Sequence, residues 1–118
     1  MSRRMARISE QLKGEIARIL REEAKDPRLG LVTLTRVDAA PDLSHALVFW
    51  SALDADDEEA IESVQDGLDS AASFVRGRLA RELPLKRVPQ LRFRFDPSLA
   101  LGSDTLSLLR SISDDEKA

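Results

Sequence analysis

The chain has 118 residues, 18 Lys/Arg against 21 Asp/Glu and no cysteine, so it is sized for one domain that buries a core without disulfides, and thiolate catalysis and thiolate metal sites are excluded. No apolar run approaches the roughly 20 residues that span a bilayer, and MSRRMAR leads into amphipathic sequence without the apolar region of a signal peptide, so a soluble intracellular protein is expected. The net charge of −3 argues against a nucleic-acid partner only until its distribution is read. Residues 1–30 carry eight bases and five acids, residues 54–69 eight acids and no base, and residues 70–96 seven bases and two acids. A fold that joins the two basic segments and turns the acidic one away would present a face for phosphates; plain solvated helix faces would give the same runs.

From about Met5 to Ala24, apolar residues Met5, Ile8, Leu12, Ile16, Ile19 and Leu20 recur at helical steps, with Arg4, Arg7, Lys13, Arg18 and Arg21 mostly off that stripe. KDPRLG ends the helix through Pro27 and turns at Gly30. LVTLTRV, 31–37, reads as a strand, AAPDLS as a turn, and HALVFWSAL, 45–53, as a second strand paired antiparallel with the first. The acids of DADDEEA complement the positive end of a helix starting near Asp56 or Asp57. Unbroken to Leu83, that helix would run about 27 residues, or roughly 40 Å, too long for a domain of this size. A kink is therefore expected at Ser70, Ala71, Ala72 and Ser73, where side chains are smallest. Pro84 ends the second half. QLRFRFD alternates Leu91, Phe93 and Phe95 with Arg92 and Arg94 as a half-buried strand does, GSDTLSLLRSI suggests a short helix, and DDEKA frays.

Catalytic chemistry is poorly supported. His45 is the only histidine and reads as an ordinary residue at a strand start. The acidic run lacks the glycine and ligand spacing of a calcium loop, and no phosphate-cradling Gly-rich loop is present. Trp50 and Phe49 could stack a base, but a chain with 4% aromatic residues needs its large side chains in the core. What remains is the small-residue kink followed by Arg76, Arg78, Arg81, Lys86 and Arg87. At such a bend, backbone amides of the second half-helix would meet a phosphate that small side chains let approach. Helix packing alone would also use small residues there. Arg92 and Arg94 fall on a strand's solvent side, where arginine serves solubility equally well.

The order α-β-β-α-kink-α-β resembles a type II KH domain, an α+β fold with a three-stranded sheet and here a short C-terminal helix. KDPRLG, the DLSHA turn and RVPQLRFRFD in combination resemble the bacterial ribosome-binding factor A family over nearly the whole chain. The resemblance implies one KH-like RNA-binding domain over 1–112 with a frayed acidic tail at 113–118. It implies no enzymatic activity and no cofactor. It also implies a cytoplasmic, monomeric assembly factor that binds the free small ribosomal subunit and its ribosomal RNA during late maturation and 5′-end processing, with a role in cold adaptation and with no membrane or small-molecule ligand. The family's Ala-x-Gly kink falls on Ala71, Ala72 and Ser73, with Ser in place of Gly. The RNA-binding face is then expected to comprise Arg3, Arg4, Arg7 and Arg28, the kink Ser70, Ala71, Ala72 and Ser73, and Arg76, Arg78, Arg81, Lys86 and Arg87. The competing reading is a protein-interaction module that docks a partner through its helices without touching RNA.

Overall fold

The computed structural model describes residues 2–97 apart from Asp54; the helix expected in GSDTLSLLRSI and the acidic tail lie outside the described residues. Helix α1, Arg3–Glu22, begins where the Ser2 hydroxyl accepts the Met5 amide at 3.1 Å. Its buried stripe is Met5, Ser9, Leu12, Ile16, Ile19 and Leu20. Ser9 on that stripe is not an apolar residue: its hydroxyl accepts the Ala39 amide at 3.1 Å and so ties the helix to the end of a strand.

Strands β1, Val32–Ala39, and β2, His45–Ala52, form the expected antiparallel hairpin, and β3, Gln90–Phe95, adds to the far side of β2 in parallel. The order is β1-β2-β3. A bulge in β1 leaves Thr35 without a partner, since Leu34 faces Trp50 and Arg36 faces Phe49. That extra residue is what lets Leu34 and Val37, an odd number of positions apart, both point into the core. The Thr35 hydroxyl donates to the Asp96 carboxylate, and the Asp96 amide donates to the Trp50 carbonyl at 2.7 Å, so the bulge is clasped to the end of β3.

A parallel pair needs a crossover, and α2, Glu58–Glu82, supplies it. Its N-cap is Asp57, whose carboxylate accepts the Ala60 amide at 2.7 Å, with Glu58 and Glu59 in the first turn as the acidic run implies. The expected pair of half-helices is corrected: α2 is one continuous α-helix of 25 residues through Ser70–Ser73. Alanine is the strongest helix former, isolated serines are tolerated, and no proline intervenes before Pro84. At 1.5 Å per residue the helix is about 37 Å long, which the molecule's 49 Å long dimension accommodates. Ser73 has no positive φ, so no left-handed turn replaces the family's glycine.

The helices and the inward side of the sheet share one core, centred on the fully buried Trp50. Trp50 is thus a core residue, and its indole N–H donates to Gln65 of α2 at 2.8 Å. At the helix's middle the backbone comes close to the turn Pro27–Leu29: a Cβ on Gly67 would lie 3.1 Å from Asp26 Oδ2 and 3.2 Å from both Arg28 Nε and Leu29 Cδ2. Those groups are held in place, because Asp26 accepts the Arg28 amide at 2.9 Å and its guanidinium at 2.6 Å, while Arg28 also donates to the Ser63 carbonyl at 3.3 Å. Bonds from the Arg28 side chain and amide hold the Asp26 carboxyl below the usual range, so the contact is present at neutral pH and is lost as pH falls through that lowered value.

From the second half of α2, Arg76 reaches the segment that enters β3: Nε donates to the Pro89 carbonyl at 2.9 Å and Nη2 to the Val88 carbonyl at 2.8 Å. These carbonyls immediately precede β3, so the guanidinium sets where the strand enters the sheet.

Four variants test this packing in urea unfolding. A Cβ on Gly77 would meet no atom within 4 Å, so Gly77→Ala should gain about 0.5–1 kcal/mol from helix propensity, whereas Gly67→Ala should lose about 1 kcal/mol because overpacking against the pinned turn exceeds that gain. Arg76→Ala should destabilise by about 3 kcal/mol, and Arg76→Lys should recover less than half of it, since an ammonium cannot reproduce the planar fork.

Candidate nucleic-acid interface

The two basic segments meet at one end of the molecule. Arg4 in the first turn of α1 and Lys86 and Arg87 after α2 line a groove of about 670 Å³, closed on its third side by the β1–β2 turn. Ile8, Leu43 and Leu85 give it an apolar floor, each packed against the core. Arg4, Lys86 and Arg87 are exposed. The first turn of α1 carries arginines and no acid, an arrangement the helix dipole disfavours, so local helix stability does not explain those residues.

Leu43 shapes the turn side of this groove with φ of 59°, the one positive φ among described non-glycine residues. A bulky residue there is strained, and the turn holds it through the Leu43 amide to the Ala40 carbonyl at 2.8 Å and the Ala40 amide to the His45 carbonyl at 2.9 Å. Asp42 beside it accepts the Ser44 amide at 3.0 Å. That bond, the Ser44 side chain and the charge of Arg87 hold the Asp42 carboxyl below its ordinary range, so it stays ionised beside the groove.

The expected small-residue site divides between two neighbouring depressions along α2, both lined by Phe74. Ser73, Gly77 and Arg81 recur every fourth residue and, with Phe74 and Arg78, frame a shallow depression of about 250 Å³. Gly77 leaves its floor open. Phe74 is 39% exposed, and the Arg78 guanidinium sits 5.1 Å from its ring centroid. Ser70 and Ala71 instead face a second depression of about 310 Å³ against Leu29, Gly67 and the end of α1, while Ala72 packs on the core. Because α2 is continuous, its amides at Ser70–Ser73 serve the helix's own ladder and are not turned toward a ligand. The small residues offer close approach without backbone donors.

Of the expected cations, Arg4, Lys86 and Arg87 are gathered, Arg3 and Arg7 are exposed on the same end of α1, and Arg81 stands over the second half of α2. Three others are engaged in the fold. Arg28 is forked to Asp26, Arg76 to the two carbonyls before β3, and Arg78 pairs with Glu23 of α1 at 3.1 Å. Sequence reasoning missed Ile8, Leu43 and Phe74. Phe74 carried a signal, an aromatic four residues before an arginine; a left-handed leucine carries none. Among the described residues, no group of three or more His, Asp or Glu is placed to hold a metal ion, and no helix is long and apolar enough to cross a membrane.

Comparison with known proteins places this geometry. The family model for ribosome-binding factor A matches residues 4–109. Ribosome-binding factor A of Pseudomonas syringae pv. syringae is 42% identical over 113 residues, covering 95% of this chain and 82% of that protein. Among solved structures, the crystal structure of ribosome-binding factor A from Thermus thermophilus superposes with a TM-score of 0.67 at 30% identity, covering 77% of this chain and 93% of the other. A Thermus thermophilus ribosome binding factor A model fitted into the cryo-EM map of a 30S-RbfA complex gives 0.61 at 29% identity, covering 79% and 96%. With a matching family model over most of its length, relatives that align nearly end to end and the same α+β KH-like architecture, the chain belongs to the ribosome-binding factor A family.

Proposed function

We propose that the protein is a non-catalytic, cytoplasmic assembly factor that binds the small ribosomal subunit during late maturation and touches its ribosomal RNA through the groove of Arg4, Lys86 and Arg87. The observation that carries this reading is the convergence of those cations from opposite ends of an acidic chain onto one apolar-floored groove. Arg4 and Lys86 hold no ion pair among the described residues, so their charge is available to phosphates. Binding by such groups releases condensed counterions and weakens with salt. The 30S complex into which a Thermus relative has been fitted supports the choice of partner. Arg3, Arg7 and Arg81 extend the contact along α1 and α2, and Arg78 joins them where its pairing with Glu23 is exchanged for a phosphate. Support of 5′-end processing and growth in the cold belongs to the same reading: a monomer holding RNA in one arrangement matters most where rearrangement is slow.

Co-sedimentation with isolated small subunits and with assembled ribosomes across a salt series tests it. Selective, salt-weakened association with free subunits is the expected result. Lys86→Ser with Arg87→Ser should weaken that association and shallow the plot of log affinity against log salt by about 1.5, two contacts' worth. An unchanged slope would move the RNA to another face. Association that persists in high salt and survives nuclease treatment would replace this reading by docking on protein.

A further inference from the structure

The side of the sheet turned away from both helices carries an organisation that the groove does not use. Register alone builds it: Arg36 of β1 faces Phe49 of β2, and Phe49 faces Arg94 of β3, so the three form one row across the sheet. The neighbouring row is Asp38, Leu47 and Arg92. Burial separates the two sides cleanly along β3, where Leu91 and Phe93 are buried while Arg92 and Arg94 are exposed. Trp50, pointing inward, leaves Phe49 outward and half-buried.

Solubility explains exposed arginines, but not this row. Phe49 is an aromatic on the open side, and the Arg36 guanidinium lies 4.3 Å from its ring centroid. The Asp38 carboxylate is taken by Arg36 at 3.0 Å. The side chains of Arg92 and Arg94 have neither ion pair nor hydrogen-bond partner among the described residues. They stand two positions apart on one strand, about 6.6 Å along it, close to the separation of neighbouring phosphates in a stretched single strand. Planar guanidinium and aromatic surfaces flanked by uncommitted cations suit bases and phosphates together.

We propose that this sheet face, uncovered among the described residues, is a second nucleic-acid surface, taking an unpaired RNA segment with one base against the Arg36–Phe49 stack and successive phosphates at Arg92 and Arg94. An acidic peptide could satisfy the arginines but would have no use for a guanidinium-capped ring, so single-stranded RNA is the occupant the row favours. The proposal rests on the reading of the protein as an RNA binder and adds to it a surface distinct from the groove, lined by none of the groove's residues.

Fluorescence anisotropy with a labelled ten-nucleotide oligouridylate tests it, using the full chain with Lys86→Ser and Arg87→Ser so that the groove does not contribute. Adding Arg92→Ser and Arg94→Ser should weaken binding about tenfold near 0.1 M salt and reduce the salt slope by about 1.4. Phe49→Leu should weaken it about fivefold with the slope unchanged. The proposal is overturned by no binding of the oligonucleotide, by equal affinity after the arginine substitutions, or by a glutamate decamer binding as tightly. Subunit association in co-sedimentation is scored separately, so a failure there with oligonucleotide binding intact would sink the ribosomal reading and leave the sheet surface standing.

Discussion

The amide of Gln65 governs how the crossover helix sits on the sheet. It accepts the Trp50 indole N–H at 2.8 Å and donates to the Phe93 carbonyl at 2.8 Å and to Asp69 at 3.0 Å, so one side chain joins β2, β3 and α2. A buried indole without an acceptor would destabilise the core by roughly 1–3 kcal/mol, which makes the position of Gln65 a condition on the rest. With the indole drawn inward, strand alternation sends Phe49 outward. With α2 set at Gln65, Gly67 lies against the Pro27–Leu29 turn and Arg76 beneath the carbonyls before β3. The groove and the outer row of the sheet both inherit their geometry from that placement.

Nine of the arginines fall into two populations. Arg18, Arg28, Arg76 and Arg78 hold elements together: Arg18 gathers Glu15 and Glu23, and Arg78 brings the same Glu23 to α2. Such exposed pairs contribute little stability singly, but shared carboxylates make them mutually orienting. The second population, Arg4, Arg81, Arg87, Arg92 and Arg94, lies at the periphery. Acids on the first half of α2, Glu58, Glu59, Glu62 and Asp66, are exposed and line none of the groove that holds Arg4 and Arg87, so a chain of net negative charge keeps local positive potential there.

Much of this was legible in the sequence. The α1 stripe, the hairpin, the start of α2 and the alternation of β3 each obey a period that one element imposes on its own residues. The kink did not follow, because small size is not helical weakness: alanine is the best helix former. The bulge at Thr35 has no local signature, since LVTLTRV alternates only until the extra residue is known. Arg76 could have been assigned to the fold: it lies three positions before Leu79 and next to Val75, on the flank of the buried stripe, where a long side chain reaches backbone beside the core. Arg28 likewise follows Asp26 across a proline, a spacing suited to a local fork. The groove was legible only as charge segments, for its floor and its strained leucine come from three separate parts of the chain.

The bulge has a bearing on how copies of the protein meet one another. Among the described residues, β1 and β3 are both edge strands, and an uncovered edge is a template on which another chain can build. Thr35 interrupts the regular spacing of β1's outward amides and carbonyls, and its clasp to Asp96 keeps that interruption fixed. At the other edge, alternate positions of β3 carry guanidinium groups that repel their counterparts on an approaching copy. Both features disfavour strand pairing at these edges, so the irregular bulge and the row of like charges each work against extension of the sheet by a second copy.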